Sequence, residues 1–423
     1  MPGHKGKKLL GFEPYDITEI NGADDLFHAK GIIKESEANA SKLFGFKTFY
    51  STEGSSLAIR AMLYLAMTAS GDNKTILAAR NVHKTFVTAA ALLDLNVAWL
   101  YGEENSYYSI NITGKDLDLA LSKMAIKPFA VYVTSPDYLG HILDIKDLKR
   151  VCQKYDIPLL VDNAHGAYLH FLEPSLHPLY LGADMCASSA HKTLPALTGC
   201  AYLQISNDAN CYFALHAKEA LALFASTSPS YLLLASLDYT NYFLDKNKNL
   251  YSNFNKKLLR IKAELEQDGY QLVGNEVMKI VIDAKAYGYT GEEINEYLTH
   301  HKIISEFFDQ DYIVLMPTPL NSNVELKALV KALKKLNKKT ALQRENFKIE
   351  PKERTLTIKE ATFALKKQMK IEEALGAILA DTAVTCPPAV PILVCGEAIT
   401  ANDIEMFKHY GINECLVVKK REE

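Results

Sequence analysis

At 423 residues the chain is too long for one small core, and two or three domains are expected. Its 48% hydrophobic and 23% charged residues are the balance of a globular protein in water. A formal net charge of −3 offers a polyanion little reason to bind, which sets nucleic acid aside as a partner. Seven scattered cysteines without a CxxC pair read as reduced thiols, not as a disulfide frame or a zinc site. No apolar stretch reaches membrane-spanning length, and the Met-Pro-Gly-His-Lys start lacks the form of a secretory signal, so no membrane and a cytoplasmic location are expected.

In chain order, residues 1–45 form an arm with little helical or strand periodicity. Acids at Asp16, Glu19, Asp24 and Asp25 suit either a loop facing a cationic substrate or a plain polar surface. From 46 onward short apolar runs alternate with helix-like stretches. Strands are predicted at 46–50, 75–78, 97–100, 129–134, 157–162, 183–188 and 200–205, and helices at 55–70, 84–93, 115–125 and 145–155. This alternation predicts an α/β fold whose mostly parallel sheet is covered on both faces, with ligands at the carboxyl ends of its strands. The large domain is assigned to 46–245. A long lysine-bearing helix is predicted at 232–268, followed by a small α/β domain, 246–345, with strand-like pieces at 271–273, 278–282 and 312–316. A lysine-rich helix at 327–339 reads as a solvated face. The C-terminal module, 346–423, contains Cys386-Pro387-Pro388-Ala389-Val390-Pro391, where three prolines forbid helix.

Two segments make a specific chemical demand. Asp162-Asn163-Ala164-His165-Gly166 closes one apolar run, and Ser188-Ser189-Ala190-His191-Lys192 closes the next. A carboxylate and a lysine at neighbouring strand ends are what pyridoxal 5′-phosphate (PLP) requires. The amine condenses with the cofactor aldehyde, and the acid keeps the ring nitrogen protonated. Taken alone, Asp162 also suits a helix cap and Lys192 an exposed loop. Ser188, Ser189, His191 and Thr193 add donors suited to a phosphate. Gly54-Ser55-Ser56 opens a helix, which is either an anion site or an ordinary cap. His83 lies between a strand and a helix, where an imidazole can stack on a pyridine ring opposite Ala164. His165 either contacts the ring hydroxyl or substrate, or bonds locally in a turn.

Together with Arg80-Asn81-Val82-His83-Lys84, Asp24-Asp25-Leu26, Thr227-Ser228-Pro229-Ser230-Tyr231, Ala235-Ser236-Leu237-Asp238 and Gly396-Glu397, these strings resemble the bacterial Orn/Lys/Arg decarboxylases of PLP fold type I, in their short form. The resemblance spans nearly the whole chain. It implies that Lys192 forms the aldimine, Asp162 pairs with the ring nitrogen and His83 stacks on the ring. It also implies that Ser55, Ser56, Ser189 and His191 surround the phosphate, and that Thr227 and Ser228 reach the phosphate of a partner in a homodimer with shared sites. Lys192 or His191 would return the proton to Cα after CO₂ leaves. Glu19, Asp24, Asp25 and Glu306 are the acids proposed for the distal cation of arginine, lysine or ornithine.

Three features depart from that pattern: the sequence opens directly on Pro2-Gly3-His4-Lys5-Gly6 where relatives usually carry an upstream arm, which leaves a start-site error or a truncated arm open, Glu53 and Ile59-Arg60 flank the phosphate loop, and Cys395 precedes Gly396. Oligomer packing and cofactor affinity are where they are expected to matter. The alternatives are another fold type I reaction (aldol cleavage or transamination) and a non-catalytic paralogue.

Overall fold

All seven apolar runs pair into one sheet. The computed structural model describes residues 1–102, 109–345, 347, 349, 351–382, 384–386 and 390–419, with backbone alone at Thr385 and Cys386. Pro387, Pro388 and Ala389 of the proline string lie outside the described residues. The elements run α1 (Ile32–Phe44), β1 (Lys47–Ser51), α2 (Gly54–Ala69), β2 (Thr75–Ala79), α3 (Lys84–Leu93), β3 (Asn96–Leu100), α4 (Gly114–Lys123), β4 (Val131–Thr134), α5 (Ile145–Lys154), β5 (Leu159–Asp162), β6 (Met185–Ser189), α6 (Ala190–Thr193), β7 (Ala201–Ile205), α7 (Cys211–Phe224), α8 (Tyr231–Lys246) and α9 (Leu250–Gln267). The sheet order is β1-β7-β6-β5-β4-β2-β3. Strands β4, β5 and β6 are parallel, while β7 runs antiparallel to both of its neighbours, β6 and β1. The fold is α/β with a mostly parallel sheet, as predicted. No helix among the described residues is long and apolar enough to cross a membrane.

The chain divides into two compact units. The first comprises Met1–Leu77, Leu117–Ser135 and Asp144–Leu250. Its strands β5, β6 and β7 are buried at every residue, so they read as continuous apolar runs rather than alternating ones. Helix α5 shows the local logic. Asp144 caps it by accepting the Asp147 N–H (3.1 Å), and Ile145, Leu148, Val151 and Cys152 form its buried stripe.

Helices α1 and α7 lie where no element was predicted. The buried face of α1 includes Ser36 and Glu37, which breaks the apolar stripe. Helix α7 leaves Leu215 and Leu223 exposed, so apolar residues go nearly all round it. The two are joined by a buried ion pair: Lys218 Nζ meets the Glu37 carboxylate, which also accepts the Tyr50 N–H (2.9 Å), and donates to the Leu26 carbonyl (2.7 Å). Burial pushes the Glu37 carboxyl up and the Lys218 amine down, and each charge opposes the shift of the other. Lys218→Met strands the Glu37 charge and is expected to cost about 3 kcal/mol, read as a lower urea midpoint. An unchanged midpoint would show that the pair contributes nothing.

The predicted helix at 232–268 is corrected to two, α8 and α9. Asn247 leaves helical geometry at φ −125° and ψ 46°, and Asn247-Lys248-Asn249 break the run. Asparagine and exposed lysine carry no apolar anchor at that turn, and asparagine side chains compete for backbone groups.

The second unit comprises Ala78–Asp116, Pro136–Leu143 and Tyr251–Glu423. It holds an antiparallel sheet of β8 (Leu272–Val273), β9 (Ile280–Asp283), β10 (Phe307–Phe308) and β11 (Tyr312–Leu315), in the order β10-β11-β9-β8. The lysine-rich helix spans Asn323–Lys335, about four residues earlier than predicted. A Ser322–Glu325 capping box starts it, and Leu326, Leu329 and Leu333 turn inward. In the same unit Arg80 is 1% exposed and donates to the carbonyls of Pro391 (2.8 Å) and Ile392 (3.1 Å). Two strings noted in the sequence thus meet through a buried guanidinium whose role is to hold backbone.

Candidate active site

Strand register brings the chemical residues of the first unit to one edge. Thr134 pairs with Asp162, and Asp162 with Ala187. Ser189 pairs with Ala201, which on its other side pairs with Ser51. The ends of β1, β4, β5 and β6 therefore lie along the carboxyl edge, where crevices form in such sheets. Helix α2 begins three residues after β1. The Ser189 hydroxyl donates to the Ser55 hydroxyl at 2.8 Å, joining residues 134 apart in sequence.

The start of α2 is shaped by two glycines. Gly54, at φ +70°, donates its N–H to the Gly199 carbonyl (2.8 Å). Gly199 sits at φ +101°, and a Cβ there would lie 2.9 Å from Leu233 Cδ1 and 3.1 Å from the Thr52 carbonyl oxygen. Only glycine satisfies both demands. The result is a helix N-terminus with two hydroxyls, Ser55 and Ser56, in its first turn, a donor set suited to a phosphate.

Asp162 is 2% exposed. Its carboxylate accepts the Ala164 N–H (3.1 Å) and the Tyr132 hydroxyl (3.3 Å). Burial raises its pKa; the Lys192 charge, the Ala164 N–H and the Tyr132 hydroxyl oppose that without cancelling it. A buried acid so sparsely solvated is completed by a cation. That is the fit expected for a protonated pyridine ring.

Lys192 lies in the short helix α6, held by buried Ala190 and Thr193. Its Nζ is 3.0 Å from His165 Nε2. His191 is turned differently: its Nδ1–H donates to the Cys200 carbonyl (2.9 Å). Burial lowers its pKa, the Cys200 carbonyl opposes this, and the Lys192 charge adds to the lowering. Of the two histidines, His165 is the one in contact with the amine. Ser188 is taken away from the serine pair by strand alternation; its hydroxyl donates to Gln204 Oε1 (3.0 Å) on the other face. Thr227 and Ser228 are exposed in the turn after α7, where the Ser228 N–H is held by the Ser226 hydroxyl (3.1 Å) and the Ser226 N–H by Glu53 (2.7 Å).

His83 belongs to the second unit. It caps α3, with Nδ1 accepting the Thr85 N–H (3.1 Å), and its ring is half-buried. Glu306, also in that unit, is exposed. Of the acids proposed for a distal cation, Asp24 is occupied at the start of α1, accepting N–H groups from Lys30 (2.9 Å), Gly31 (2.8 Å) and Ile33 (3.0 Å). Partial burial works to raise its pKa, but these N–H donors prevail and hold it at about 2.

A family model described as "Orn/Lys/Arg decarboxylase, major domain" matches residues 11–286. The chain belongs to the Orn/Lys/Arg decarboxylase family. It is 30% identical to an arginine decarboxylase of Bacillus subtilis (strain 168), over 97% of this chain and 89% of that one. A Halalkalibacterium halodurans arginine decarboxylase is also 30% identical, over 96% and 89%. Among solved structures, the constitutive lysine decarboxylase of Escherichia coli superposes with a TM-score of 0.78 at 16% identity, covering 99% of this chain and 79% of that one. Lysine decarboxylase A of Pseudomonas aeruginosa gives 0.78 at 15%, covering 97% and 73%. At such identities the likeness is one of fold. In this Orn/Lys/Arg decarboxylase, sequence reasoning missed Tyr132, Gly199 and the Gln204 contact. Tyr132 and Gln204 were visible as polar residues inside apolar strands, but the pattern does not say whom they face.

Proposed function

We propose that this chain removes the α-carboxyl group of a basic amino acid, arginine first, as CO₂, with PLP held at Lys192. The observation that carries this reading is one sheet edge bearing the Lys192–His165 contact, the buried Asp162 carboxyl and the Ser55–Ser189 pair. The arginine decarboxylase relatives support arginine ahead of lysine and ornithine. When bound, PLP supplies an aldehyde for the amine and a cationic ring that takes up the electron pair left as CO₂ departs.

The residues divide that task. Lys192 carries the covalent link. Asp162, ionised beside a cation, holds the ring nitrogen protonated. Gly54, Ser55, Ser56 and Ser189 hold the phosphate at the start of α2, and His191 shapes that loop through the Cys200 carbonyl. His83 is assigned to the ring face. His165 holds a proton at Lys192 Nζ and returns it, through that amine, to the substrate Cα. Thr227 and Ser228 are assigned to the phosphate of a second copy in a cytoplasmic homodimer. Leu9, Leu10 and Tyr15, exposed by 79%, 77% and 72%, support a covered arm in such an assembly.

Protein supplied with PLP and given arginine, lysine and ornithine in separate reactions is expected to form agmatine and CO₂ at least about tenfold faster than the other two amines. Keto acid without CO₂, or no amine from any of the three, would overturn the reading.

A further inference from the structure

The face of the sheet opposite Ser189 carries a polar chain inside an otherwise apolar and aromatic layer. Asn163, His177, Ser188 and Gln204 are each 0% exposed. Asn163 Nδ2 donates to Ser188 Oγ (2.9 Å), Ser188 donates to Gln204 Oε1 (3.0 Å), and His177 Nε2 donates to the same oxygen (3.2 Å). His177 Nδ1 accepts the Leu179 N–H (3.4 Å), so the ring is a neutral Nε2–H donor. Burial pushes its pKa down to about 3, with His170 adding to the effect and Gln204 opposing it. Its ring stacks on Phe46 at 5.6 Å.

The location of this chain matters more than its bond count. Strand β5 ends at Asp162, and the Asn163 N–H to the Ala187 carbonyl (2.9 Å) continues the ladder one step beyond it. The Asn163 side chain then adds a further rung, to Ser188, where the segments bearing Asp162 and Lys192 leave the sheet. On its other side Ser188 is tied to β7 through Gln204. A buried network of this kind, with directed donors, specifies one arrangement of the chains it joins.

We propose that Asn163, Ser188, Gln204 and His177 act as a positioning relay that sets the spacing between the Asp162 carboxyl and the Lys192 amine. The proposal rests on the PLP reading above. None of the four is a catalytic residue; each acts through the strand end it holds.

The test uses the PLP-loaded protein and two variants. Ser188→Ala removes the bonds of the central hydroxyl to Asn163 and Gln204 together with its contact to Cys186 Sγ (3.8 Å), and Asn163→Leu removes one donor while keeping volume. Each is expected to lower kcat for arginine about tenfold with KM within about twofold, and to shift the pH midpoint of the cofactor's visible band. The double variant is expected to lose no more than either single one, because all of them break the same chain. If Ser188→Ala does not fold, Asn163→Leu decides alone. Variants that lower only the melting temperature, with kcat and band midpoint unchanged, would overturn the relay. An unaltered protein showing no visible band after PLP addition would instead overturn the cofactor reading on which it rests.

Discussion

Lys192→Ala is expected to cut CO₂ release from arginine by on the order of 10⁴-fold or more, with the melting temperature nearly unchanged. The reason is local. Helix α6 is anchored by Ala190 and Thr193, which are buried, whereas Lys192 is half-buried and reaches His165 at 3.0 Å. Removing its side chain therefore opens no core cavity and leaves the sheet edge intact. What goes is the amine proposed to carry the cofactor, together with the proton assigned to its Nζ. A small primary amine added to the solution is expected to restore part of the rate. Activity within about tenfold of the unaltered protein would sink the assignment of the covalent link.

The second large effect concerns Asp162. Asp162→Asn keeps the side-chain shape and an oxygen for the Ala164 N–H, turns its amide NH₂ toward the Tyr132 hydroxyl in place of Oδ2, and carries no charge. The rate is expected to fall roughly 10³-fold, because a neutral amide cannot keep the ring nitrogen protonated. The cofactor-free protein should respond in the opposite sense. Burial raises the Asp162 pKa above its ordinary 3.8, so the folded state binds this proton more tightly than the unfolded chain. That contribution is complete below pH 3.8 and is lost as the pH rises through the raised folded value. The asparagine variant has no such loss, so its cofactor-free melting temperature near neutrality should equal or exceed that of the unaltered protein. A variant that melts lower and decarboxylates normally would show Asp162 to be a structural cap.

The strand-end positions of these two residues were legible in the sequence because residue type and periodicity coincided there. An acid and a lysine each closed an apolar run, and in an α/β sheet such runs end where ligands collect. Where the local pattern was weak, legibility failed. Helix α1 hides Ser36 and Glu37 on its buried face because Tyr50 and Lys218, distant in sequence, satisfy them. The two helices α8 and α9 read as one because both sides of the Asn247-Lys248-Asn249 break keep helical spacing of apolar residues.

The sequence by itself determined the kind of fold, the order of the seven sheet strands along the chain and the residue types that chemistry would require. Those properties follow from hydrophobic spacing within a dozen residues, and short-range backbone geometry translates that spacing directly. Only the tertiary structure decided who meets whom. It set Ser189 against Ser55 and turned Ser188 to the far face, brought His165 rather than His191 to the amine, and committed Asp24 to the start of α1. Each of these outcomes depends on strand register or on a hydrogen bond between separated segments. Neither leaves a mark on local periodicity, because the energy that selects it comes from burying and pairing polar groups across the fold.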